Sequence, residues 1–168
     1  VKQVTTVFDE RKAVLFDDRW AQAREDLARV ALGELDLAPQ RFAGTGSTVA
    51  KQAEWYAKRV EGDRRNVLGE IAAAANAAAN EPYANDVALV TGAAPGSIAT
   101  AVVEGLLAGG ATVIMTASNV SQARKEFART LFAEHASVGA RLWLVPTNLS
   151  SYRDIDALIE WILSLIHI

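Results

Sequence analysis

The sequence predicts an α/β protein: a partial parallel sheet of about three strands with flanking helices, preceded by a mainly helical segment. Three observations carry this. A glycine-bearing turn, Thr91–Ile98, joins a short apolar run to a helical repeat. A second apolar run, Ala111–Thr116, follows that helix, and a third ends before Asn148, the rhythm of strand–helix units. Charge divides unevenly: residues 1–85 carry 12 basic and 13 acidic side chains, residues 86–168 only 5 and 7. A solvent-facing helical layer followed by a buried sheet has that contrast. The expected organisation is a helical structural segment over 1–85 and a strand–helix α/β segment over 86–168.

Composition removes several function classes. A chain of 168 residues with 51% hydrophobic and 22% charged side chains is ordinary globular material, about one domain in size. The absence of cysteine excludes a disulfide scaffold, a thiolate metal site and a Cys nucleophile. His135 and His167 alone do not make a His-rich metal site. A net charge of −3 without basic clusters argues against nucleic-acid binding. No apolar run approaches a membrane span, and Val1–Glu10 has no signal-peptide core, so a cytoplasmic setting without membrane contact is expected.

Along the first segment, Thr5–Phe8 and Ala13–Phe16 are β-leaning and flank the turn-like Asp9–Lys12, which predicts a hairpin. A helix is expected from Arg19 to Gly33, with Trp20, Ala23, Leu27, Val30 and Ala31 on its buried stripe. Asp17 and Asp18 at its start read as cap and dipole-complementing groups rather than metal ligands. Pro39–Gly46 reads as a loop. Ser47 and Thr48 are expected to cap a helix through Val60 that buries Val49, Ala53, Tyr56 and Ala57. A third helix, Arg64–Asn80, is rich in alanine, the best helix former, and Pro82 is expected to end it.

In the second segment, Val87–Val90 reads as a strand buried on both faces. The helix after the turn is expected to bury Ile98, Val102 and Leu106, and Gly109-Gly110 to end it. Gly92 permits a tight turn at the strand end. Gly96 lets backbone approach a pyrophosphate, which the helix N-terminus then faces with unpaired N–H groups and partial positive charge.

The turn Thr91-Gly92-Ala93-Ala94-Pro95-Gly96-Ser97-Ile98 resembles that of the short-chain dehydrogenase/reductase superfamily, Thr-Gly-x-x-x-Gly-x-Gly, with Ile98 in place of the last glycine. Together with Gly105–Ala111, Arg141–Asn148 and Asp156–Ile162 it resembles the ketoacyl reductase region of fungal and actinobacterial type I fatty acid synthases. The likeness covers Asp86–Ile162. It implies a partial Rossmann-type sheet and an NADPH-binding portion of a 3-oxoacyl-[acyl-carrier-protein] reductase. It further implies a carrier-bound 3-oxoacyl substrate, neighbouring synthase domains as partners and a large oligomer.

The cofactor follows from the end of the second strand. NAD enzymes of this type place an acid there for the ribose 2′-hydroxyl; here no acid lies between Glu104 and Glu126. Thr116, Ser118 or Ser121 can donate to a 2′-phosphate, and Arg124 or Lys125 can supply charge, which favours NADPH. Thr91, Gly92, Gly96, Ser97, Ile98, Thr116, Ser118, Asn119, Arg124 and Asn148 are the candidate cofactor residues. Asn148 takes the place beside the adenine that the resemblance implies. Ser151–Asp154 reads as a capping box for a last helix that buries Ile155, Leu158, Ile159 and Ile162.

The family's catalytic residues are not in this stretch. Such a reductase protonates the ketone from a Tyr, assisted by a Lys four residues on and by a Ser. Tyr152 is followed at that spacing by Asp156. No catalytic residue is therefore assigned, and the isolated chain is expected to be inactive. Leu163–Ile168 departs from the fourth strand expected there, and an open sheet edge is expected near residues 140–168. Two other readings stay open: a non-catalytic structural or interaction segment of the synthase, and a divergent enoyl reductase, which Ser97-Ile98-Ala99 faintly resembles.

Overall fold

The computed structural model describes residues 5–166. Its elements in chain order are β1 (Val14–Phe16), α1 (Arg19–Leu32), α2 (Ser47–Ala57), α3 (Asp63–Asn76), β2 (Val87–Val90), α4 (Ile98–Ala108), β3 (Thr112–Ala117), α5 (Gln122–His135), β4 (Arg141–Pro146) and α6 (Tyr152–Ile166). Short 3-10 turns occupy Glu10–Lys12 and Pro39–Phe42. The four strands form one sheet in the order β1-β4-β3-β2. β2, β3 and β4 are parallel, and β1 runs antiparallel against β4 with Leu15 opposite Trp143. This is the α/β class read from the sequence, a partial Rossmann-like sheet with one added antiparallel strand.

Alternation along the central strands assigns the two faces. Val113, Met115, Leu142 and Leu144 pack under α4 and α5, against Val103, Leu107, Leu131 and Phe132. Ile114 and Val145 face α6, through Leu158, with Trp143 and Trp161 beside them at 5.1 Å, edge to face. Helices α1–α3 enclose their own core around Leu27, Phe42, Leu68 and Ile71.

Two arginines tie that helical layer to the sheet layer. Arg19 is fully buried; its Nε donates to the Ala136 carbonyl (3.1 Å), one terminal nitrogen to Asp26 (3.3 Å) and the other to the Arg41 carbonyl (3.2 Å). Arg41 donates to the Ala133 and Ala136 carbonyls. Both guanidiniums thus sit at the C-terminal end of α5, where unpaired carbonyls and the helix dipole favour cations.

Several sequence expectations are corrected. Thr5–Phe8 is not a strand, and β1 pairs with β4 instead of folding back in a hairpin. Asp9 makes the difference: its carboxylate caps the 3-10 turn by accepting from the Arg11 N–H, which turns the chain away from two-strand pairing. In α1, Trp20 is 40% exposed beneath Arg24, while Ala23, Leu27, Val30 and Ala31 are buried. Asp18 does cap this helix, accepting from the Ala21 N–H at 2.9 Å. Helix α2 begins after Gly46 with no side-chain cap and ends at Ala57 rather than Val60, its buried face being Val49, Ala50 and Ala53. The expected Pro39–Gly46 loop opens with the second 3-10 turn, whose Phe42 is buried.

Helix α3 stops at Asn76, four residues short of Asn80 and before Pro82. The Ala75 and Ala77 carbonyls accept from the Gly46 and Gly44 N–H groups, at 2.9 and 2.8 Å, so a tertiary partner takes bonds that continued helix would need. In α4 the buried stripe is Thr100, Val103 and Leu107. Ile98 and Val102 face solvent at 87% and 48% exposure, and Leu106 is half-buried. This helix is apolar nearly all round, so its periodicity does not select a face.

The strand β2 is not buried on both faces. It is one of the two edge strands of the sheet, with Val87 and Leu89 exposed. The sheet is therefore open at β2 and β1 rather than at β4, because β1 covers β4 and Leu163–Ile166 continue α6. Within α6 only Leu158 of the expected four is buried, and Ile159 is exposed. Residues 1–4 and 167–168, and with them His167, lie outside the described residues. Among the described residues no helix is long and apolar enough to cross a membrane.

Candidate functional site

The carboxyl ends of β2, β3 and β4 open onto three loops, the position at which ligands bind open α/β sheets. A cleft of about 300 Å³ lies there, lined by Gly92, Ala93, Ala94, Thr116, Ala117, Ser118, Arg124, Thr147, Asn148 and Leu149. A larger groove of about 500 Å³ runs between α2 and α3 past Glu54, Lys58, Arg65 and Gly69, but it has no strand ends and no glycine turn.

The turn after β2 is built as its sequence requires. Gly92 and Gly96 have φ of 74° and 77°, the left-handed region that side chains with a Cβ avoid. A Cβ at either residue would meet nothing within 4 Å, so both backbones border open space. Ser97 caps α4: its hydroxyl accepts from the Thr100 and Ala94 N–H groups, at 3.2 and 3.1 Å. The Thr100 hydroxyl donates to the Ala94 carbonyl (2.6 Å), leaving the Ser97 hydroxyl to donate to Thr100. Ser97 is thus fully engaged in shaping the turn.

Of the ten sequence candidates, Gly92, Thr116, Ser118, Arg124 and Asn148 come together on the cleft. Thr91, Gly96, Ser97, Ile98 and Asn119 do not line it; Gly96 and Ser97 shape the turn beside it, and Ile98 points to solvent. Arg124 sits in the first turn of α5, whose N-cap Ser121 accepts from the Arg124 N–H at 3.3 Å. Arg124 is half-buried, and among the described residues its side chain makes no ion pair or hydrogen bond. Sequence reading missed Thr147. It is 3% exposed, it lines the cleft, and its buried hydroxyl has no partner. No motif signals such a residue, because it depends on what the neighbouring loops leave unpaired.

Asn148 is tied on three sides. Its Nδ2 donates to the Thr5 carbonyl (2.8 Å), its Oδ1 accepts from the Ser150 N–H (3.0 Å), and its backbone N–H donates to Asp154 (2.9 Å). The Asp154 Oδ2 also accepts from the Val7 and Phe8 N–H groups, both at 2.8 Å. The expected capping box is therefore only half formed. Ser151 caps the Asp154 N–H at 3.3 Å, but the Asp154 carboxylate reaches these distant amides instead of the Ser151 N–H, which donates to the Asn148 carbonyl.

Burial alone would raise the Asp154 carboxyl; the N–H groups of Asn148, Val7 and Phe8 with the Ser151 hydroxyl outweigh it and hold it below the usual carboxylate value. The sign follows from linkage: the native pKa lies below the unfolded one, so this stabilisation is complete above the unfolded value, about 3.9, and is lost as pH falls through the native value. Unfolding midpoints measured against pH are expected to fall on the acid side of pH 4. Asp154→Asn is expected to flatten that limb; an unchanged limb counts against the assignment.

Among the described residues no group of His, Asp or Glu side chains is arranged to hold a metal ion. No family model matches the chain. It is 49% identical over 80 residues, 48% of this chain, to the fatty acid synthase subunit alpha of Schizosaccharomyces pombe. It is 38% identical over 112 residues, 67% of this chain, to the fatty acid synthase alpha subunit pigJ of Monascus ruber. It is 33% identical over 129 residues, 76% of this chain, to the fatty acid synthase subunit alpha of Cochliobolus carbonum. The chain spans only 4%, 6% and 8% of these relatives. It is thus similar, over as much as three quarters of its own length, to a small segment of fungal fatty acid synthase alpha subunits.

Proposed function

We propose that this chain is the NADPH-binding portion of a 3-oxoacyl-[acyl-carrier-protein] reductase within a fatty acid synthase, with residues 1–85 as the structural segment that precedes it. The observation that supports it best is the cleft: a strand, a glycine turn with open backbone, a helix N-terminus and an acid-free second strand end meet at one place. The likeness to fatty acid synthase alpha subunits supplies the synthase context.

The residues fit a phosphorylated dinucleotide. Gly92 and Gly96 leave space for a pyrophosphate against the backbone. Ser118 and Arg124 stand where a 2′-phosphate would be held, and no carboxylate lines the cleft to repel it. Thr147 and Asn148 border the adenine side. Bound NADPH supplies a hydride for reduction of a ketone. The chain's own residues bind and orient it, and none of them is assigned to the proton or the carbonyl.

Titrating the chain with NADPH and NADH by fluorescence tests this. NADPH is expected to bind about tenfold or more tightly than NADH, one charge-assisted contact being worth about 1.5 kcal/mol or more. Arg124→Ala is expected to remove that preference while sparing NADH. Equal affinity for the two nucleotides, or none for either, would overturn the reading.

A further inference from the structure

We propose that Asp154 is a positioning residue for the nucleotide cleft: it staples the segment Thr5–Phe8 to the loop after β4, so that the first residues of the helical segment set the adenine-side wall. The inference rests on the nucleotide reading above.

A carboxylate on the first turn of α6 has a cheap local use, closing its own capping box. Asp154 forgoes it. Its side chain, with no exposed surface, gathers three N–H groups on one oxygen. Two belong to Val7 and Phe8, about 146 residues away, and the third to Asn148, on the cleft. A buried carboxylate needs such pairing, and Oδ2 carries all of it, since Oδ1 is buried with no partner among the described residues. The same strap is held a second time where the Thr5 carbonyl accepts from the Asn148 amide. It is anchored a third time by the Phe8 ring, 6.4 Å from Trp161 and edge to face.

The consequence for a ligand is specific. One Asn148 amide hydrogen goes to Thr5 and its backbone N–H to Asp154, so the side chain cannot turn. What the loop brings to the cleft is the Asn148 side chain, held in place by Thr5 and Ser150, next to the buried Thr147 hydroxyl. A polar side chain held still at the cleft suits the edge of a purine. Releasing the staple frees Asn148 to rotate, and recognition of the adenine half then carries an ordering cost.

The test titrates the full chain with adenosine 2′,5′-bisphosphate and with NADPH, alongside amide hydrogen exchange. In Asp154→Asn, exchange protection at Val7, Phe8 and Asn148 is expected to fall together, and the bisphosphate to bind about tenfold more weakly. Val7→Pro, which deletes one donor and touches nothing in the cleft, is expected to act in the same direction more weakly; it replaces Asp154→Asn should that variant not fold. A variant that loses stability but binds the bisphosphate as the parent does would overturn the positioning role and leave the nucleotide reading intact. Failure of the unsubstituted chain to bind either nucleotide would overturn that reading, and this inference with it.

Discussion

Replacing Arg19 by methionine is expected to cost about 3–5 kcal/mol of stability, the range for removing one partner of a buried ion pair. Arg19 lies at the base of α1 with its guanidinium wholly enclosed. Its loss leaves Asp26, 4% exposed, without its cation, takes the side-chain donor from the Arg41 carbonyl and leaves the Ala136 carbonyl to the longer bond from Arg41. Arg41 does not compensate. Burial, and secondarily the Arg19 charge, hold its pKa down to about 10, so it stays protonated at neutral pH. It is already committed to the carbonyls at the end of α5. The double variant Arg19→Met with Asp26→Leu removes both charges and is expected to recover much of the loss. Denaturant midpoints at neutral pH decide this. A single variant within about 0.5 kcal/mol of the parent would show that the arginine contact between helical and sheet layers carries little stability, the range of an ordinary surface substitution.

Substituting Gly92 by valine is expected to abolish nucleotide binding, with affinity down about a hundredfold or more, equivalent to about 3 kcal/mol of binding free energy. Two effects combine. At φ 74° a β-branched residue is a severe outlier, costing roughly 1–2 kcal/mol of stability. The added side chain also projects into the open space of the cleft. Gly92→Ala separates the two, since it carries most of the strain and little of the bulk. Undiminished NADPH binding in Gly92→Val would mean that the cleft at the strand ends is not where the nucleotide lies.

The parts legible in the sequence were those encoded within a few residues. Helix α1, Arg19–Leu32, lies where it is expected because both ends are local devices: the N-cap Asp18 accepting from the third residue on, and the C-cap Gly33 at φ 76°. The Thr91–Ile98 turn, with the strand before it and the helix after it, is legible for the same reason. Local reasoning failed where a distant partner intervened. The alanine-rich repeat continues past Asn76, but two glycine N–H groups from the α2 entry take its carbonyls. A hairpin was expected around Asp9–Lys12, yet β1 found its partner in β4, more than a hundred residues away.

The same division holds at the candidate site. By itself the sequence determined the glycine turn, the acid-free end of the second strand and the cation at Arg124, since each is a matter of residue type at a fixed place along a strand–turn–helix unit. Only the tertiary structure decided which of these share a cleft, that the Ser97 hydroxyl is spent on its own helix, that Thr147 is left without a partner, and that Asn148 is held by the chain's first described residues. The physical reason is that a polar group's availability depends on every donor and acceptor within about 3 Å of it. For Asp154 and Asn148 those neighbours are brought in from some 145 residues away by the packing of the sheet.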